Sequence, residues 1–220
     1  MIDFEKARIT MVDCQIRPND VTSYPVLEAF GSVPREAFVP KSLRSIAYID
    51  EDIVLPAENG QRYLMEAMSM SRMVQLAEIT ADDIVLDVGC GTGYSSAVLS
   101  QLCNSVVAIE SDPTLAELAT KNLLDQGHDN VVVLQAPLEK GLAKEGPFDV
   151  IFFGGAVEEL PATFKDQLKD GGRMVVVEGT GNTGIARIYL RVGDVVSGRN
   201  AFNCAVKPLP GFEKTAEFAF

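Results

Sequence analysis

The apolar positions of the chain fall into two regimes. From residue 84 onward, short continuous apolar runs alternate with stretches of helical spacing. Ile84-Val85-Leu86-Asp87-Val88 runs into a glycine cluster, and Val106-Val107-Ala108-Ile109 ends at Glu110. Val131-Val132-Val133-Leu134, Asp149-Val150-Ile151-Phe152-Phe153 and Met174-Val175-Val176-Val177 follow. Between the runs, residues 94–102 and 113–125 read as helices, the second with Leu115, Leu118, Ala119 and Leu123 at helical spacing. Residues 160–168 read as a short helix stopped by Gly171-Gly172. Strands that are apolar throughout are buried on both faces, which is the mark of a parallel sheet covered by helices. Residues 185–192 and 202–206 add two strands without a helix between them, and 195–199 fits a hairpin connection. The fold class is therefore α/β: a doubly wound, mostly parallel, seven-stranded Rossmann-like sheet whose end is antiparallel.

The first 78 residues follow a different pattern. Residues 6–12 and 26–30 have helical character, and Arg17-Pro18-Asn19-Asp20 and Val33-Pro34 read as breaks. Residues 65–76 are Met-rich with a helical period, which suits adaptable core filling. Two parts are expected: residues 1–78 as a mainly helical cap on the acceptor side, and residues 79–220 as the ligand-binding Rossmann-like domain.

Composition narrows the partners. The 220 residues carry 19 basic and 31 acidic side chains, a formal net charge of −12. That balance opposes binding to nucleic acid or to an anionic membrane. No apolar run approaches the roughly 20 residues that span a bilayer. Met1-Ile2-Asp3-Phe4-Glu5-Lys6 lacks a basic region followed by an apolar one, so a cytoplasmic location is expected. Cys14, Cys90, Cys103 and Cys204 form no CxxC pair and do not cluster with His128, the only histidine. No metal site or disulfide is expected, only free buried thiols. His128 lies in Gln126-Gly127-His128-Asp129-Asn130 and reads as an exposed turn residue.

Candidate chemistry concentrates in Asp87-Val88-Gly89-Cys90-Gly91-Thr92-Gly93, between a strand and a helix. Glycines there permit a tight turn and close approach of a ligand to the backbone, and unpaired N–H groups at the start of a helix favour a polar or anionic group. The glycines at 89, 91 and 93 give GxGxG rather than the GxGxxG of a dinucleotide site, and Tyr94 stands where that longer pattern needs Gly or Ala. There is no lysine of a phosphate-binding loop. Glu110, ending the next strand, is placed to accept hydrogen bonds from two neighbouring hydroxyls.

The sequence DxGxGxG after the first strand of such a sheet resembles motif I of S-adenosylmethionine-dependent methyltransferases. The resemblance implies a loop that wraps the amino-acid end of the cofactor, with Asp87 orienting it and Glu110 holding the ribose. It assigns the cofactor site to Asp87, Val88, Gly89, Cys90, Gly91, Gly93, Tyr94, Glu110 and Ser111. Ala136 and Leu138, in Leu134-Gln135-Ala136-Pro137-Leu138, would lie against the adenine. Gly154-Gly155-Ala156 would line the floor near the methyl group.

The N-terminal part adds Met11-Val12-Asp13-Cys14-Gln15-Ile16-Arg17, Val33-Pro34-Arg35-Glu36-Ala37-Phe38-Val39-Pro40, Ala47-Tyr48 and Gly60-Gln61. Together with Pro147-Phe148-Asp149 and Gly171-Gly172-Arg173, these resemble the protein-L-isoaspartate O-methyltransferase family over about residues 7–178. The resemblance implies protein repair: methyl transfer to the α-carboxylate of an L-isoaspartyl residue, followed by collapse of the ester to a succinimide. The partner would be a protein or peptide. No catalytic acid or base is assigned, because a carboxylate is already ionised at pH 7. The chain departs from the family where a Thr and a Ser lie beside the acceptor, since Arg62 and Leu64 fall on those positions. Arg62 suits pairing with an acceptor carboxylate, and suits a surface position equally. Two alternatives remain at this point: a methyltransferase with a small-molecule acceptor, and a non-catalytic S-adenosylmethionine-binding module.

Overall fold

The computed structural model describes residues 2–214, so the last six residues of the expected domain 79–220 lie outside the described residues. Seven strands form one sheet in the order β5-β4-β3-β6-β7-β8-β9. They are β3 (Ile84–Val88), β4 (Ser105–Glu110), β5 (Val131–Gln135), β6 (Phe148–Val157), β7 (Leu168–Glu178), β8 (Ile185–Val192) and β9 (Val195–Asn203). The first five are parallel, and β7–β8 and β8–β9 are antiparallel. The chain winds outward through β3, β4 and β5, then returns to the other side of β3 with β6. Such a reversal opens a crevice at the carboxyl ends of the strands, which is where ligands bind in open α/β sheets.

The covering helices in this part are α4 (Tyr94–Ser100), α5 (Pro113–Asp125) and the short α6 (Thr163–Asp166). Helix α5 starts where the sequence dictates: Asp112 caps it by accepting from Leu115 N at 3.1 Å, and Pro113 stands at its first position. Two local expectations are corrected. Gly171-Gly172 does not end a helix; both lie inside β7, where Gly171 takes φ +76° at an irregularity. Residues 195–199 are not a connection but the start of β9, paired with β8 across a turn at Gly193-Asp194.

The first 78 residues contain α1 (Phe4–Met11), α2 (Tyr24–Ser32), α3 (Ala67–Leu76), several tighter turns and an antiparallel hairpin, β1 (Ile53–Leu55) with β2 (Arg62–Leu64). The hairpin was not foreseen, since three-residue strands leave too little alternation to read. Met11, Ile16, Phe30, Phe38, Met70 and Met73 share one buried cluster with Val85, Tyr94, Val98, Phe152 and Val175 of the sheet and its helices. Arg35, fully buried, ties this region together. Its Nε donates to Ala47 O and its Nη2 to Met65 O, each at 2.8 Å, and its guanidinium lies 4.8 Å from the centre of the Tyr94 ring.

Candidate active site

The carboxyl ends of β3, β4 and β6 meet at the glycine loop. Gly89 (φ +81°) and Gly91 (φ +58°) adopt left-handed backbone, and each faces a side chain at close range. A Cβ on Gly89 would lie 2.6 Å from Leu209 Cδ2 and 3.3 Å from Arg62 Nη2; one on Gly91 would lie 2.8 Å from Leu55 Cδ1. Across the loop, a Cβ on Gly154 would lie 2.6 Å from Gly89 O, so β6 reaches the loop only because that position lacks a side chain.

Two carboxylates flank the loop, both fully buried. Asp87 Oδ2 accepts from Ser95 Oγ at 2.7 Å and from Ser96 Oγ at 2.6 Å, while Asp87 Oδ1 has no partner among the described residues. Burial pushes the Asp87 carboxyl up to about 6, against the two hydroxyl donors; Glu110 adds to the rise and Arg62 opposes it. Glu110 Oε2 accepts from Gly91 N at 2.8 Å, and Oε1 accepts from Ser111 N at 2.8 Å and Asp112 N at 3.1 Å.

Arg62 completes the site. Its Nη1 is ion-paired with Glu110 Oε1, and its Nη2 lies 3.3 Å from Gly89 O. Its side chain is 3% exposed, so of the two readings of this residue the surface one is excluded. The hairpin that carries it is also held at its loop, where Glu58 N and Asn59 N donate to Asp112 Oδ2 at 2.8 and 3.0 Å. On the other side, Pro208-Leu209-Pro210 forms a strap along β6: Ala156 N donates to Lys207 O and Leu209 N to Ala156 O. Leu209 escaped the sequence reading. The prolines flanking it, which favour extended chain, were the signal available.

The remaining expected residues divide by side-chain direction. Ser111, Ala136 and Leu138, with Gln135, Pro137, Glu139, Pro210 and Gly211, line a cleft of about 420 Å³. Cys90 is buried, and burial holds its thiol well above the ordinary value. Tyr94 contributes only backbone at the loop, because its ring turns into the N-terminal core, 5.7 Å from Phe38 and 6.3 Å from Phe30. His128 is not an exposed turn residue. It is buried, with Nδ1 2.9 Å from Ser100 Oγ and its ring 6.4 Å from Phe38, and desolvation lowers its pKa. Among the described residues no group of three or more His, Cys, Asp and Glu could hold a metal ion, and no helix is long and apolar enough to cross a membrane.

The arrangement suits an adenosine bearing a charged amino-acid arm. The 420 Å³ cleft is of small-molecule size and sits beside Glu110, while Asp87 offers a free buried oxygen beneath the glycine turn. The space over Gly89 is different. The gaps among Arg62, Tyr63, Met65, Gly154 and Leu209 hold about 10 Å³, the volume of one water at most, because side chains of the chain itself fill it.

The model of the family described as protein-L-isoaspartate(D-aspartate) O-methyltransferase matches residues 8–211. The protein-L-isoaspartate O-methyltransferase of Brucella anthropi is 35% identical over 180 residues, covering 82% of this chain and 81% of the relative. A solved protein-L-isoaspartate O-methyltransferase superposes with a TM-score of 0.80 at 25% identity, over 93% of this chain and 66% of that one. A candidate enzyme of the same type from Plasmodium falciparum, solved with S-adenosyl-L-homocysteine, shares the fold with a TM-score of 0.77 at 16% identity, over 94% of this chain and 98% of that one. Matched by the family model from residue 8 to residue 211, and 35% identical to a relative over 82% of its length, the chain belongs to the protein-L-isoaspartate(D-aspartate) O-methyltransferase family, enzymes that use S-adenosylmethionine.

Proposed function

We propose that the acceptor of this methyltransferase is the free carboxylate of L-isoaspartyl residues in peptides and proteins. Family membership supports the reaction. The observation that carries the site is the pair of buried carboxylates, Asp87 and Glu110, at the ends of adjacent strands with a left-handed glycine turn between them. In this reading Glu110 accepts from the ribose hydroxyls, and Ser111, Ala136 and Leu138 hold the base in the cleft. The backbone of Val88, Gly89, Cys90, Gly91, Gly93 and Tyr94 lies along the amino-acid arm. The free Oδ1 of Asp87 takes the ammonium of that arm, directly or through water.

S-adenosylmethionine supplies a methyl group on a sulfonium, a good leaving group. The chain's residues then have to position rather than transfer protons, since the attacking carboxylate is ionised at pH 7. Bringing two reactants into line can lower a barrier by roughly 7–11 kcal/mol. The hairpin β1–β2 of residues 1–78 covers the loop and would exclude water from the reacting pair. That position is the reason for taking residues 1–78 as the acceptor side.

The test is methyl transfer from labelled S-adenosylmethionine to an isoaspartyl peptide beside its aspartyl twin. Transfer to the first alone is expected. Cofactor binding with transfer to neither peptide would overturn the peptide acceptor. It would favour instead a small-molecule acceptor, with Arg62 and Leu64 buried where the family's Thr and Ser would fall.

A further inference from the structure

Arg62 occupies ground that the cofactor needs. It donates to Glu110 Oε1, the oxygen that in the reading above serves the ribose, and its second nitrogen lies over Gly89. It also brings positive charge to two fully buried carboxylates: it is ion-paired with Glu110, and its charge opposes the rise in the Asp87 pKa without contacting that residue. A ligand that brings hydroxyl donors and a cationic arm offers the same two things. The gaps around the guanidinium hold about 10 Å³, so ligand and guanidinium cannot share the space over Gly89.

The exit for Arg62 is set by its surroundings. It sits on β2, a three-residue strand next to an exposed loop, Glu58-Asn59-Gly60-Gln61. Asp52, Tyr63 and Lys207 line the same small space, and the Lys207 ammonium lies 5.5 Å from the centre of the Tyr63 ring. A guanidinium leaving Glu110 for this space would arrive beside a second cation, Lys207, with the Asp52 carboxylate on the same wall. Two cations there would suit a carboxylate, on a chain whose net charge is −12. A guanidinium can hold one or both oxygens of a carboxylate in a fixed plane.

We propose that Arg62 is a two-position specificity residue: paired with Glu110 it closes the cofactor site, and when the ribose displaces it, it turns outward to hold the acceptor's carboxylate. The proposal rests on the cofactor assignment above. Cofactor then binds before acceptor, because the acceptor's cation is released only by the cofactor. Glu110 keeps Gly91 N, Ser111 N and Asp112 N as donors when Arg62 leaves, so the exchange strips it of one partner only.

The experiment is calorimetric titration with S-adenosylhomocysteine and with an isoaspartyl peptide, each alone and in the presence of the other, on wild type and Arg62→Gln. In wild type, saturating S-adenosylhomocysteine should tighten peptide binding about tenfold, as expected when a first ligand releases a masked state. Arg62→Gln should bind S-adenosylhomocysteine about tenfold more tightly, because no internal donor competes for Glu110, and should bind the peptide weakly whether or not S-adenosylhomocysteine is present. Unchanged or weaker S-adenosylhomocysteine affinity in the variant overturns the closing role. Unchanged peptide affinity overturns the acceptor role. If wild type itself fails to bind S-adenosylhomocysteine, the cofactor assignment has failed and this proposal with it. Should Arg62→Gln not fold, Arg62→Lys keeps the charge but not the fork; the same shifts, smaller, are expected, and their absence counts against the proposal equally.

Discussion

Asp87 sets burial against charge. The carboxylate lies beneath the glycine turn with two serine hydroxyls on one oxygen and none on the other, and its pKa rises to about 6 because desolvation outweighs those donors. A carboxyl whose folded pKa lies above its unfolded one binds its proton more readily when folded. Its contribution to stability is thus complete below about pH 4 and is lost as pH rises through about 6. Between an unfolded value of 3.8 and a folded value of about 6, the ionised group costs the protein alone about 3 kcal/mol at pH 7. Asp87→Asn removes that cost. Urea unfolding of wild type and variant at pH 4, 5.5 and 7 should show equal stabilities at the acid end and a variant that is more stable at pH 7 by up to about 3 kcal/mol. A gap that stays constant over this range would show that Asp87 titrates like an exposed carboxyl. The same cost would be relieved by a cationic ligand arm placed beside that oxygen.

At the scale of elements, the loop and the segments laid over it act as one construction. Gly89 and Gly60 both hold left-handed backbone, at φ +81° and +73°, but only Gly89 faces neighbours: a Cβ on Gly60 would meet nothing within 4 Å. Alanine at position 60 should therefore cost backbone strain alone, about 1–2 kcal/mol. Alanine at 89 should cost that and also put a methyl group where the ligand meets the backbone, lowering S-adenosylhomocysteine affinity at least about tenfold, or ~1.4 kcal/mol. Equal effects of the two substitutions on affinity would mean that the close approach at Gly89 has no part in binding. Arg35 is the comparable tie on the N-terminal side. Arg35→Met leaves the carbonyls of Ala47 and Met65 without donors, and a loss of about 2–4 kcal/mol in urea unfolding is expected; a loss under 1 kcal/mol would show that water replaces both bonds. The site's legibility follows the same division. Asp87, the glycines and Glu110 could be found in the sequence because strand ends and a glycine turn are local signals. The pairing of Arg62 with Glu110 spans 48 residues, and the contact of Leu209 with Gly89 joins a C-terminal strap to a loop far upstream, so no local pattern announces either. His128 misled for the same reason: its neighbours in sequence say turn, while Phe38, distant in sequence, buries it.

For the whole molecule, the sheet was legible where runs are apolar throughout: β3, β4, β6 and β7 are buried on both faces, while the equally apolar β5 proves to be an edge strand with Val132 exposed. The antiparallel end was legible in outline, but the last strand, expected over 202–206, runs from Val195 to Asn203; its start was misplaced because the Val195-Val196 pair lies beside a Gly-Asp turn that fits a connection equally well. What the sequence could not show is how deeply residues 1–78 enter the common core. Phe30, Phe38, Met70 and Met73 lie in one cluster with Tyr94, Val98 and Phe152, and α3 packs against β7. A fragment starting at residue 79 would expose the partners of those side chains, each worth about 1.5–3 kcal/mol when buried. The Arg173 guanidinium adds a tie, from β7 to Ala77 O at 2.7 Å and to Asp83. Thermal or urea unfolding should therefore be one cooperative transition, with far-ultraviolet and near-ultraviolet circular dichroism superimposing. An earlier separate transition carrying the helical signal of residues 1–78 would make the cap an independent unit. It would also mean that hairpin β1–β2, and Arg62 with it, can leave Glu110 by detaching the whole cap rather than by turning one side chain. Coincident transitions would leave the smaller motion proposed above, the turning of the Arg62 side chain.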